Sequence, residues 1–401
     1  MYLEIPKKLK PLIEQAHLVA QEVFRPISRK YDLAEHAYPK ELDMLAAVMD
    51  GMNEGDAMGG AGAGKLKREK RTKTDGVRNG SNMSTVLGLV ELCWGDVGLA
   101  LTIPRQGLGN AAIAAVADDE QLARFGKKWA SMAITEPGAG SDSAAIRTTA
   151  KKDGDHYVLN GEKIFVTAGD RCDCVVVWAS LDPSLGRAAI KSFVVEKGTP
   201  GMEVARLEHK LGIKASDTAT ILFTDCRVPK ENLLGKPEIE SQGFGGVMQT
   251  FDNTRPVVAA MALGVARASL EKARELLKAQ GYHAAYDRGV WNTSSVEAEL
   301  YRMEADLEAA RLLTIKAAWM ADNGQPNSME ASMAKAKAGR TANAVTLRCA
   351  ELCSTLGYGE LELLEKWARD SKILDIFEGT QQIQLLIVAR RLLGKSSAEL
   401  R

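Results

Sequence analysis

HYVLNGEKIFVTAG, His156 to Gly169, marks a change of period in this chain. Its apolar and polar residues alternate on either side of Asn160-Gly161, a period of two that belongs to strands. Asn-Gly between two alternating runs is the strongest short-range hairpin signal, so the stretch predicts paired strands with their turn at Asn160-Gly161. CDCVVVWAS, IKSFVVEK and ATILFTDCRV continue the strand pattern, punctuated by Gly and Pro. Outside this region the period is helical. Leu12, Ile13, His17, Val19, Ala20 and Val23 recur at helix spacing, and STVLGLVELCWGDVGLALTI and NAAIAAVADDEQLARFG follow suit. After about residue 240, three long Ala-rich stretches carry wide apolar faces, as in an antiparallel bundle. The order is helical, then β, then helical. The expected fold class is mainly α with a central β-domain: a helical domain over 1–128, a β-domain over 129–236, and a second helical domain over 237–401.

At 401 residues the chain is long enough for two or three such units. Its net charge of zero argues against a nucleic-acid partner, which calls for a dominant basic field. No run of about 18 apolar residues occurs, so no membrane span is expected. The opening MYLEIPKKLKPLIEQAHLVAQ reads as an amphipathic helix rather than a signal peptide. The six cysteines form no CxxC pairs and the five histidines show no metal-ligand spacing, so the expectation is a reduced, cytoplasmic protein without a metal. Residues 51–80 read as a flexible basic insert. Within it GGAGAGK, Gly59 to Lys65, has phosphate-loop spacing, but Leu66 stands where that chemistry needs a hydroxyl and no strand precedes it. The run Lys65, Lys67, Arg68, Lys70, Arg71 and Lys73 reads as a solvated loop.

Two further stretches invite a chemical reading. ITEPGAGSDSAAI, Ile134 to Ile146, lacks the third glycine of a dinucleotide fingerprint and is followed by strands; it reads as an exposed turn whose backbone can approach a ligand at Gly138 and Gly140. DIFEGTQQIQLL, Asp375 to Leu386, sets Glu378 between an apolar strip and a helix start. Alone, each has a structural explanation: a polar loop capping a β-domain, and an acid favoured by the helix dipole.

Taken in order, ITEPGAGSD, NGEKIFVTAG, KLGIKASDTATILFTDCRVPKENLLG, FDNTRPVVAA and DIFEGTQQIQLLIVARRLLG closely resemble the flavin-dependent acyl-CoA dehydrogenase family, from roughly residue 85 to the C-terminus. The resemblance implies the acyl-CoA dehydrogenase fold, with an N-terminal helical domain, a middle β-barrel or sandwich and a C-terminal four-helix bundle, together with FAD as cofactor and oxidation of an acyl-CoA thioester to the 2,3-enoyl-CoA. It implies that Met132, Ala133, Ile134, Thr135, Gly140, Ser141, Phe165, Val166 and Thr167 line the flavin, with the two threonines hydrogen-bonded to its electron-accepting edge. Ser141, Asp252 and Arg255 match positions that contact CoA. Gly379, Thr380 and Gln382 would touch substrate or flavin, and Glu378 falls where the largest branch of the family carries its general base. Other branches place the base on the helix beginning near residue 250, where this chain has Thr254. Electrons would leave to an electron-transfer flavoprotein, and the assembly would be a homotetramer or a heterotetramer with a related subunit.

The chain also departs from the pattern. GYHAAYDRGVWNTS lacks the family's Arg-x-x-Phe-Gly motif, which reaches a neighbouring subunit's cofactor, although Arg288 stands nearby; STLGYG, with Ser354, replaces Gln-Ile-Leu-Gly-Gly. These paired departures imply a second reading, a half-site or non-catalytic subunit of a heteromeric acyl-CoA dehydrogenase. An oxygen-using relative is a third, disfavoured because such enzymes do not normally keep the FEGT carboxylate. Pro104 and Arg105 stand where relatives line the acyl tunnel, which leaves the acyl chain open.

Overall fold

The computed structural model describes residues 5–54, 80–105, 107–236, 245–282, 284–396 and 399; residues 55–79, which include the phosphate-loop look-alike and the basic run, lie outside the described residues. The first part is helical: α1 (Lys10–Val19), α2 (Arg25–Leu33), α3 (Glu41–Glu54), α4 (Ser81–Gly95), α5 (Val97–Ala100), α6 (Leu108–Val116) and α7 (Asp119–Phe125). Strands follow: β1 (Ala130–Ala133), β2 (Thr149–Asp153), β3 (His156–Thr167), β4 (Cys174–Ser180), β5 (Ile190–Glu196), β6 (Met202–Leu207) and β7 (Thr218–Pro229). The rest is helical again: α8 (Gly245–Ala279), α9 (Ser295–Asp322), α10 (Ser328–Leu352), α11 (Ser354–Tyr358), α12 (Leu364–Ser371) and α13 (Gln381–Leu393). Local chemistry sets several of these boundaries. Asp118 with Gln121 and Ser294 with Glu297 form reciprocal capping boxes at the starts of α7 and α9. Asp322, at the far end of α9, caps α4 by accepting from the backbone of Gly80 (2.8 Å), Asn82 (3.0 Å) and Met83 (3.0 Å).

The strands form one sheet in the order β1-β4-β2-β3-β7-β6, with β5 on the other edge of β4. β1 runs parallel to β4, whereas β2–β3, β3–β7, β4–β5 and β6–β7 are antiparallel. Val175, Val177, Phe193, Val195 and Ile221 fill its core. In the last part α10 packs on α8, α9 and α13, and α4 lies against α8 and α9. The contact faces are rich in alanine, with Ala259, Ala262 and Ala266 on α8 meeting Ala334, Ala338 and Ala342 on α10 in one buried core. Small side chains permit that close approach at no rotamer-entropy cost.

The turn expected at Asn160-Gly161 is elsewhere. Asp153 pairs with His156, so Gly154 and Asp155 make the turn, and β3 runs straight through Asn160 and Gly161. Gly161 instead sits at a register shift against β7, where a Cβ would lie 2.4 Å from Thr148 Oγ1 and 2.8 Å from its Cα. The glycine marks a β-bulge and a close backbone crossing. Asn160 is engaged too: its amide oxygen accepts from the Asp225 backbone at 2.8 Å. Gly161→Ala should therefore cost about 1–3 kcal/mol through overpacking, read as a lower urea midpoint.

All six cysteines carry free, buried thiols. No helix among the described residues is long and apolar enough to cross a membrane.

Candidate active site

Between the sheet and the helices lies a cavity of about 1570 Å³. The sheet side contributes Met132, Ile134, Thr135, Gly140, Ser141, Phe165 and Thr167. Leu89 and Leu92 from α4 and Thr254, Arg255, Val258 and Met261 from α8 form a second wall. A third is the segment Ile373 to Thr380 with the first turns of α13.

Glu378 stands on that third wall. The chain reverses there through two successive left-handed residues, Glu378 (φ 56) and Gly379 (φ 90), before Thr380 caps α13 by accepting from the Ile383 backbone at 3.4 Å. Both carbonyls of the reversal are held. Gln384 Nε2 donates to Glu378 O (3.0 Å) and Gly379 O (3.1 Å), and Lys335 Nζ donates to Gly379 O at 2.7 Å. The Glu378 carboxylate accepts from Thr254 Oγ1 at 2.8 Å. Burial pushes the Glu378 carboxyl above its ordinary range, against the opposing pulls of the Thr254 hydroxyl, Arg255 and Lys335. A carboxylate so placed is suited to accept a proton.

Backbone strain gathers around the same cavity. Phe165 (φ 56), Ala168 (φ 56), Ile213 (φ 49) and Glu378 are non-glycine residues in the left-handed region, and all four line it. Ile213, being β-branched, is the least at home there. Such strain collects at functional sites and persists only where the surroundings hold it. Phe165 belongs to a second register shift of β3, between Lys163 and Val166, which turns its ring outward toward the cavity.

The loop after β1 is fixed from below by a buried pair. Glu136 accepts from Lys163 Nζ (2.7 Å), the Thr148 hydroxyl (2.6 Å) and the backbones of Arg147 (2.6 Å) and Thr148 (3.0 Å), and Lys163 also donates to Ile134 O at 3.1 Å. This positions the wall that carries Ile134, Thr135 and Gly140.

Of the residues singled out in the sequence, Met132, Ile134, Thr135, Gly140, Ser141, Phe165, Thr167, Arg255, Glu378, Gly379 and Thr380 all come together on the cavity. Ala133 and Val166 do not: both side chains lie in the sheet core, as alternation along their strands requires. Gln382 is exposed on α13 and apart from the lining, and the side chain of Asp252 lies outside the described residues. Pro104 and Arg105 fall on a separate cleft of about 590 Å³ with His36, Tyr38 and Arg171. In their place Leu101 and Ile103 reach the main cavity. Arg288 is occupied by Glu297 at 3.4 Å. The fold also brings Glu35 beside His36 and His209, with ligand atoms within 4.8 Å of one another, a grouping invisible to spacing along the chain.

Sequence reasoning missed Thr254 as a partner of the acid, and missed Lys335 and Glu136 altogether. The one legible signal was Lys335 itself, a lysine on the alanine face of a helix.

Comparison with known proteins gives these features a context. The description "Acyl-CoA dehydrogenase, middle domain" matches residues 131–226, and "Acyl-CoA dehydrogenase, C-terminal domain" matches 241–393. The human mitochondrial short-chain specific acyl-CoA dehydrogenase is 32% identical over 402 aligned positions, covering 98% of this chain and 91% of that protein. The chain belongs to the acyl-CoA dehydrogenase family. Its fold is the acyl-CoA dehydrogenase fold: the solved structure of butyryl-CoA dehydrogenase from Megasphaera elsdenii superposes with a TM-score of 0.82 at 31% identity, over 98% of this chain and 100% of that one. The rat mitochondrial short-chain specific acyl-CoA dehydrogenase is 41% identical over 268 residues, which is 67% of this chain and 64% of the rat protein.

Proposed function

We propose that this acyl-CoA dehydrogenase family member oxidises an acyl-CoA thioester to the 2,3-enoyl-CoA with reduction of FAD, and that Glu378 is the general base. The observation that carries the reading is the Glu378 carboxylate, raised in pKa by burial, held by Thr254 and seated on a fixed, strained turn in the cavity wall. The cavity supports the pairing of cofactor and substrate. At about 1570 Å³ it exceeds the ~300–1,000 Å³ of a site for one drug-sized ligand. The Thr135 and Thr167 hydroxyls reach it uncommitted to other described residues, and would hydrogen-bond the flavin's electron-accepting edge. Met132, Ile134 and Phe165 would lie along the ring, while Ser141 and Arg255 would meet CoA.

FAD, when bound, supplies the hydride acceptor that no side chain provides. Glu378 takes the α-proton of the thioester onto its carboxylate as the β-carbon gives up its hydride. Negative charge then grows on the thioester oxygen, where the backbone N–H of Glu378 would donate. Ile376 and Phe377 line the slot, and exclusion of water from it once flavin and thioester are bound would strengthen these interactions.

The base must be ionised before substrate binds productively. Because burial raises its pKa, activity should fall away with acid at a higher pH than an ordinary carboxyl would give. Thr254→Val removes the donor that favours the ionised form and should move the acid limb of kcat/KM higher still. A limb confined to the ordinary carboxylate range in both proteins would contradict this.

Electrons would pass to an electron-transfer flavoprotein. The sequence departures support a second reading of the assembly, in which the chain shares a flavin site with a related subunit. The connection between α8 and α9, where the missing motif belongs, exposes Tyr286 and almost all of Trp291, at 98%. Flavin absorbance of the chain purified alone decides between them: one FAD per chain in a homotetramer excludes the shared site, and a flavin-poor chain restored by a partner supports it.

A further inference from the structure

One face of α10 fastens the whole segment that carries Glu378. Thr346 Oγ1 meets Ser371 Oγ at 2.9 Å, and Asn343 Nδ2 donates to Ser371 O at 3.0 Å. One turn earlier along the helix, Gly339 lets the segment pass so closely that a Cβ would lie 2.8 Å from Leu374 O. One turn earlier again, Lys335 Nζ donates to Gly379 O. Residues 335, 339 and 343 are spaced by four, so they share a helix face and meet the segment in reverse order as it runs antiparallel to α10. Gln381, its amide oriented by its neighbours, adds a clasp to Asp375 Oδ1 (2.8 Å) and Ala336 O (3.0 Å).

Lys335 is the unusual member of this stripe. It is fully buried, and its ammonium hydrogen-bonds a neutral carbonyl. Burial lowers its ammonium pKa to about 8, while Asp375 and Glu378 pull it up and Arg255 pushes it down. An apolar side chain of similar length would fill the space without that desolvation cost. Lysines are almost never fully buried unless paired, so its presence points to the turn rather than to the core.

We propose that Lys335 is a positioning residue for the reaction: from α10 its ammonium grips the Gly379 carbonyl, fixes the left-handed reversal at 378–379 and thereby aims the Glu378 carboxylate into the cavity. This rests on the reading of Glu378 as the base. Its charge acts as well, because a cation near Glu378 favours the ionised carboxylate. The charged groups facing the carboxylate are then Arg255 from α8 and Lys335 from α10, with Asp375 beside Lys335 on the preceding turn.

The test is steady-state dehydrogenation by Lys335→Met and Lys335→Gln in the FAD-loaded protein, with flavin content and circular dichroism checked first. A misplaced reacting group costs on the order of 10²-fold, so Lys335→Met should lose about 10- to 100-fold in kcat with little change in KM. The acid limb of kcat should also move to higher pH in both variants, a shift that a merely structural lysine would not produce. If Lys335→Met does not fold, Lys335→Gln alone carries the same two expectations. Folded, flavin-loaded variants with kcat within about twofold of the parent, a change too small for a displaced base, and an unmoved limb would overturn the proposal. Glu378→Gln run beside them separates the claims. An active Glu378→Gln defeats the base assignment and this proposal with it, whereas an inactive Glu378→Gln beside unaltered Lys335 variants defeats only the positioning role.

Discussion

Glu378→Gln should leave fold and flavin content intact and lower kcat by at least ~10²–10⁴, the usual contribution of a general base. Glutamine keeps the size of the side chain and can still accept from Thr254 Oγ1, so the wall of the cavity is preserved. It tolerates the left-handed backbone no worse than glutamate does, and the carbonyls at 378 and 379 remain held by Gln384 and Lys335. What is lost is proton affinity. An amide cannot take the α-proton of a thioester, and Thr254, the residue at the alternative base position, offers only a hydroxyl hydrogen-bonded to the acid. Stopped turnover with KM nearly unchanged is the expected signature, because an interaction made only in the transition state has been removed.

The second large effect is on stability. Lys366, buried on α12, donates to Asp96 Oδ2 (2.7 Å) and Asp370 Oδ2 (2.6 Å). Asp96 caps α5 by accepting from the Leu99 backbone at 2.9 Å and also accepts from the Ser28 hydroxyl of α2. Asp370 accepts from the Ile213 backbone at 2.5 Å. Burial opposes the Lys366 charge, but two aspartates more than offset it and hold the ammonium above its ordinary pKa. One cation thus ties together the first helices, the last helices and the loop between β6 and β7. Lys366→Met strips the partner from two buried carboxylates and should cost about 3–5 kcal/mol. Thermal and urea midpoints should both fall. Because Ile213 lines the cavity, flavin occupancy should fall with them. A Lys366→Met protein as stable as the parent would show that the trio is not a structural node.

How much of this was legible in the sequence depends on the distance over which each feature is specified. The switch from helical to strand period, and back, is local, and the elements follow it. Five ordered motifs led to the family and to most of the cavity lining, because each carries its residues close together in the chain. The hairpin turn misled for a local reason as well. Asn160-Gly161 has turn chemistry, but its glycine serves a bulge against Thr148, and Gly154-Asp155 makes the turn. Ala133 and Val166 follow from the same alternation that identified their strands: neighbours of cavity residues face the core. What the sequence hid was pairing at long range. Lys366 and Asp96 are 270 residues apart, Thr254 and Glu378 are 124 apart, and Lys335 meets Gly379 across 44. No periodicity links such partners; only the packing of α8, α10 and α12 does.

The reductive half-reaction isolates the proton transfer to Glu378. The FAD-loaded chain and its Glu378→Gln variant are mixed without oxygen with a panel of acyl-CoAs, straight, branched and steroid, and the flavin absorbance is followed. The parent should bleach rapidly with at least one thioester, and the variant should bind the same thioester yet stay oxidised over that time. Bleaching of both proteins at comparable rates would contradict it.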